Sequence, residues 1–146
     1  MGGMSSGAAA SFLVTSTVKQ ILDCDAPPAT AGDRARRVME ALSVANEKIQ
    51  ELSEQRGQGG AGSTVVVLAF DGRNPARAAI VQAGDSRCYR LRNGELQQLT
   101  SDHSHIEMYV EQGLITRDEA AMHPAGNLIT RAVGAAPELC LEMDVT

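Results

Sequence analysis

One helix-length stretch restricts the fold more than any other part of the chain. From about Gly32 to Gln55, the residues Val38, Leu42, Ala45, Ile49 and Leu52 recur at spacings of four, three, four and three. That spacing places them in one apolar stripe, with Arg, Glu and Lys on the far side. A stripe of this kind cannot be left in water, so the chain must supply a second apolar layer. A heptad-like seam also suits a coiled coil, but at this length packing on a sheet is the expectation.

The sheet follows in sequence. Ser63 to Phe70 is a near-continuous β-branched and apolar run, which reads as a strand buried on both faces. Asp71-Gly72-Arg73-Asn74-Pro75 turns the chain, and Arg77 to Ala83 returns it. A corner at Gly84-Asp85 comes next. Then Arg87 to Arg92 and Glu95 to Thr100 flank Asn93-Gly94, a strong hairpin signal. Four strands in succession predict an antiparallel meander over residues 63–100. Its unpaired edges and one uncovered face would call for a cover or lead to self-association.

The remainder is helical or connecting. A first helix is predicted from about Ala8 to Asp23, with Ala10, Val14, Val18 and Ile21 on one face and Phe12 and Leu13 widening it. Asp25-Ala26-Pro27-Pro28 ends it. The loop Arg56-Gly57-Gln58-Gly59-Gly60-Ala61-Gly62 lacks the Lys-Ser/Thr of a nucleotide-binding loop and precedes a strand, so it reads as a connector. Past Asp102, Ile106 and Val110 share a helical face that Gly113 closes. Thr116-Arg117-Asp118-Glu119 is a capping box for a short helix ending before Pro124. Leu139 to Val145 has the pattern of a further strand. The expectation is α+β: a single, partial domain over 1–146, with a helical pair at 1–56, the meander at 63–100 and an inserted segment at 101–130.

Composition excludes several functions. With 146 residues and a formal charge of −5, the chain lacks the basic surface that binds a phosphate backbone, so no nucleic-acid partner is expected. No apolar run is long enough to span a bilayer, and no basic region precedes the first apolar stretch as in a signal peptide. Cys24, Cys88 and Cys140 are odd in number and far apart, which reads as reduced, buried thiols in a cytoplasmic protein.

Asp85 is the candidate ligand. A carboxylate at the mouth of two strands can be aimed, as metal binding requires, although Asp after Gly also simply closes turns. His103, His105 and His123 have no metal-cluster spacing, and His103 and His105 should face opposite sides of an extended chain as surface groups. Asp102 beside His103 invites a catalytic pairing, yet no Ser or Cys sits in an elbow-like turn. Arg131 suits bidentate phosphate contact and equally a structural ion pair.

Four segments in order carry a resemblance. Gly62-Ser63-Thr64-Val65-Val66, Ala83-Gly84-Asp85-Ser86-Arg87-Cys88-Tyr89, Leu99-Thr100-Ser101-Asp102-His103-Ser104 and His123-Pro124-Ala125-Gly126-Asn127-Leu128-Ile129-Thr130-Arg131-Ala132-Val133-Gly134 resemble the bacterial metal-dependent protein phosphatases, the protein phosphatase 2C family. Met1-Gly2-Gly3 looks like the tail of that family's Asp-Gly-Met-Gly-Gly motif. The resemblance implies an α-β-β-α sandwich, of which this chain holds part, with a binuclear Mn²⁺ or Mg²⁺ centre. It implies hydrolysis of phosphoserine or phosphothreonine in a phosphoprotein, the product of a Ser/Thr kinase, by a metal-activated water. Asp85 matches an aspartate that mainly serves an additional metal beside the core pair, and His103 to Ile129 matches the substrate-contacting flap, with Arg131 at its end. The family's bridging Asp-Gly, its phosphate-holding arginine, its Ser-Asp-Gly and its final Asp-Asn have no counterpart in the sequence. A fragment inactive alone is therefore expected; a non-catalytic, partner-binding pseudophosphatase is the alternative.

Overall fold

A computed structural model describes residues 4–23, 30–56, 60–126 and 128–145. The Met1-Gly2-Gly3 motif tail, Cys24, the Asp25–Pro28 break, Asn127 and residues 57–59 of the glycine-rich loop lie outside the described residues.

Two long helices form one layer. Helix α1 runs Met4–Asp23 and α2 runs Ala31–Arg56. The first starts four residues before its predicted Ala8, through Gly7. Packing against α2 overrides the low helix propensity of glycine there. Ala10 and Val14 of α1 meet Ala31, Ala35, Val38 and Leu42 of α2 in one buried cluster, and Arg37 Nη2 donates to the Ile21 carbonyl at 2.9 Å. Phe12 departs from expectation: it is 70 % exposed, because α1 has only one packed side and Phe12 lies off it.

The stripe on α2 finds its sheet. Val38, Leu42, Ala45 and Ile49 are fully buried or nearly so, in one cluster with Ala79, Val81 and Ala83. These three residues alternate along β2 (Ala78–Ala83), whose pairing with β1 (Val65–Phe70) is antiparallel with Val67 opposite Val81. Val65 and Val67 pack on the same cluster, so the helix-facing side of β1 is covered. Its other side is not: Leu68 and Phe70 are 41 % and 55 % exposed. The strand predicted as buried on both faces is covered on one.

The meander is corrected. The sheet is three-stranded with order β1-β2-β5, where β5 is Glu142–Val145 and Val81 stands opposite Met143. Strands β3 (Tyr89–Arg92) and β4 (Glu95–Gln98) form a separate two-stranded hairpin. The cause is local to Gly84. At φ +108° it takes the chain out of β2, and its N–H and carbonyl bond to His103 instead of to a neighbouring strand. The second edge of β2 is then filled by β5. Asn93-Gly94 closes the hairpin with positive φ at both positions, as a type I′ turn requires.

The inserted segment is a helical hairpin. Helix α3 (His105–Glu111) is capped by Ser104, and α4 (Arg117–Ala121) carries the predicted Thr116–Glu119 capping box. Gly113 sits at φ +70° after α3, where a C-terminal glycine was expected. Arg117 binds Glu107 through two contacts of 2.9 and 2.8 Å, tying the two helices together. Asp71 joins the layers: its carboxylate accepts from the Ala31 N–H at the start of α2 and from the N–H groups of Arg73 and Asn74 in its own turn.

Candidate functional site at the Gly84–Asp85 turn

Asp85 is exposed, while Gly84 before it is buried and held on several sides. Below it lies Thr64, so close that a Cβ added at Gly84 would stand 2.4 Å from Thr64 Cγ2. The Gly84 N–H donates to His103 Nδ1 at 3.1 Å, and its carbonyl accepts from the His103 backbone N–H at 3.1 Å. The same carbonyl accepts from Gln82 Nε2 at 3.0 Å, and that amide also donates to the Ser101 carbonyl at 2.8 Å. After Asp85, the Ser86 hydroxyl meets the Thr64 hydroxyl at 2.9 Å. A rigid, satisfied base thus presents one carboxylate to solvent.

His103 is buried at 6 % exposure, not a surface group. The reason is that the chain from Ser101 to Ser104 runs under the Gly84 turn and binds it from both backbone and ring. His105, by contrast, begins α3 and is exposed, and His123 Nδ1 accepts from the Ala125 N–H within its own turn. Arg131 is brought to His103: Nη1 lies 3.3 Å from Nε2, while the Thr130 N–H donates to the His103 carbonyl at 2.7 Å.

Asp102 serves Arg87 and not a catalytic pairing with His103. The guanidinium takes the carboxylate in a fork, Nε to Oδ1 at 2.8 Å and Nη2 to Oδ2 at 2.6 Å. Hydrogen bonds from Arg87 to Asp102, and secondarily to Tyr89, hold that guanidinium protonated more firmly than usual. Arg87 and Asp102 line a cleft of about 740 Å³ with Glu107, Glu111 and Arg117, between the β3–β4 hairpin and the helical hairpin. Among the described residues, Cys88 is half-buried and Cys140 exposed, both unbridged, so the expected burial of the thiols is corrected.

No three His, Cys, Asp or Glu side chains converge on a metal-sized site among the described residues. Hard divalent cations take six or more oxygen ligands, several of them carboxylates. The described residues therefore do not by themselves fit a two-metal centre. Gln82, Thr64 and His103 were not legible as parts of this site. The one signal was Gln82 itself, a polar residue in an otherwise apolar strand, which burial obliges to find partners.

Searches against known proteins add the relationship. No family model matches the chain. The serine/threonine protein phosphatase PstP of Mycobacterium tuberculosis is 37 % identical over 134 residues, 91 % of this chain and 25 % of that protein. The solved serine/threonine phosphatase of S. agalactiae superposes over the whole chain with a TM-score of 0.88 at 30 % identity. The homologues of this chain are bacterial Ser/Thr protein phosphatases of the PPM family. The PstP catalytic domain, solved in complex with two manganese ions, matches at a TM-score of 0.81 and 32 % identity over all of this chain and 58 % of that one. The chain thus spans a quarter of the curated PstP and under two thirds of the solved domains.

Proposed function

We propose that the chain forms one wall of a metal-dependent phosphatase site acting on phosphoserine or phosphothreonine in proteins phosphorylated by a Ser/Thr kinase. Asp85 is the metal-binding carboxylate on that wall. The observation that carries the reading is the Gly84–Asp85 turn: a buried, fully bonded base beneath one exposed carboxylate, in a fold shared with Ser/Thr phosphatases. The relatives do not favour a purely partner-binding role, since those named are protein phosphatases. Arg131 stands beside the turn, with Nη1 3.3 Å from His103 Nε2, and in this proposal it orders the end of the flap. In this proposal the chain is one unit, with 101–130 as a flap beside the site. A cytoplasmic setting suits the unbridged Cys88 and Cys140, and no described helix is long and apolar enough to cross a membrane.

Alone, these 146 residues should not turn over substrate. Two divalent ions about 4 Å apart repel by on the order of 16 kcal/mol at an effective dielectric of about 20. One carboxylate cannot offset that. Purified chain with Mn²⁺ and a phosphothreonine peptide tests the point: no metal-dependent release of phosphate is expected. Turnover that Asp85→Ala abolishes would overturn the claim of inactivity. The open face of the sheet, where Leu68 and Phe70 share a groove with Tyr89 and Leu99, is proposed to drive self-association of the isolated chain.

A further inference from the structure

We infer that His103 is a positioning residue, whose buried ring and backbone together fix the turn that carries Asp85. The inference rests on the reading of Asp85 given above as a metal ligand, but its own support is separate. His103 is the only side chain that binds the Gly84 N–H in the structure's described hydrogen bonds, at 3.1 Å to Nδ1. Its backbone N–H returns to the Gly84 carbonyl, also at 3.1 Å, so one residue closes on both polar groups of the glycine. Gly84 is the residue that turns the chain out of β2, and Asp85 follows it directly.

The ring's protonation follows from these partners. An imidazole nitrogen that accepts from an N–H carries no proton, so in neutral His103 the proton is on Nε2. Arg131 Nη1, 3.3 Å from Nε2, is itself a donor. With Nε2 protonated, Arg131 cannot donate to it, so the 3.3 Å approach is a contact without a hydrogen bond between those two nitrogens. The Thr130 N–H then holds the His103 carbonyl, and His103 holds Gly84. The line from residue 130 through 103 to 84–85 is continuous, and it links three segments distant in sequence.

Asn and Gln separate positioning from mere filling of space. The Asn side-chain oxygen falls near the place of Nδ1, whereas the Gln oxygen falls near Nε2, out of reach of Gly84. Amide hydrogen exchange on the full chain is the readout, with Val67 and Val81 in the β1–β2 ladder as controls for folding. His103→Gln should speed Gly84 exchange about tenfold, the effect of losing one buried hydrogen bond, while His103→Asn stays within about threefold of the parent. Equal behaviour of the two variants, or an unmoved Gly84 in His103→Gln with the ladder intact, would overturn the inference. Long-range ¹H–¹⁵N spectra of the unsubstituted chain give a test that needs no variant: the proton is expected on Nε2, and a proton on Nδ1 sinks the proposal. Adding MnCl₂ distinguishes the two levels of the argument. Broadening at Asp85 that weakens in His103→Gln and returns in His103→Asn supports both. Absence of broadening at Asp85 in the parent removes the metal reading, and Gly84 exchange alone then decides the role of His103.

Discussion

Gly84→Ala is the substitution whose cost the structure fixes most closely. Two terms add. At φ +108° an L-residue is strained, which costs about 1–3 kcal/mol. The new methyl would also lie 2.4 Å from Thr64 Cγ2 and 2.8 Å from Thr64 Cβ, and overpacking of that kind costs about 1–3 kcal/mol. The sum, about 2–6 kcal/mol, is a large part of the 5–15 kcal/mol that holds a typical domain together. Gly94→Ala separates the terms, since Gly94 has φ +84° but nothing within 4 Å of an added Cβ. Urea denaturation followed by circular dichroism should rank Gly84→Ala well below Gly94→Ala. Thr64→Ser in the Gly84→Ala background removes the nearer methyl and should return part of the packing cost, about 1 kcal/mol. Equal losses at positions 84 and 94, or no gain from Thr64→Ser, would refute the claim that Thr64 seals the turn from below.

Two further predictions address the scaffold. The Asp71 carboxyl is held below its ordinary value of 3.8, first by the Ala31 N–H and then by those of Arg73 and Asn74. A depressed acid stabilises the fold above its unfolded value and loses that contribution as pH falls through the folded one. Asp71→Asn should therefore be less stable than the parent at pH 7, with the gap closing as pH drops below about 4, and a pH-independent gap in urea titrations would contradict this. Paired Leu68→Lys and Phe70→Lys substitutions put charge on the open face of the sheet, and light scattering should show less self-association than in the parent chain. Unchanged scattering would move the sticky surface elsewhere.

What the sequence showed clearly was local. The Asn93-Gly94 turn, the Thr116–Glu119 capping box and the α2 stripe each depend on residues within a turn or two of one another, and each formed as read. The pairing of β2 with β5 was hidden because it joins Gln82 to Glu142, far apart in sequence and without a turn signal between them. Phe12 looked apolar and therefore inward, but helix α1 has a partner on one side only. His103 illustrates the same limit at the site. Its spacing to His105 suggested an exposed, extended stretch, whereas its position is decided by Gly84, 19 residues earlier. Asp85 was visible because a short Gly-Asp corner between strands is itself a local pattern. The hydrogen bonds that make the corner rigid were not, since they come from Gln82, Ser101 and His103 across the fold.

Isothermal titration of the purified chain with MnCl₂, in parallel with Asp85→Ala, measures the central claim most directly. A single weak binding event that disappears in Asp85→Ala is the predicted result. Two tightly bound manganese ions per chain, or binding indifferent to Asp85→Ala, would contradict it.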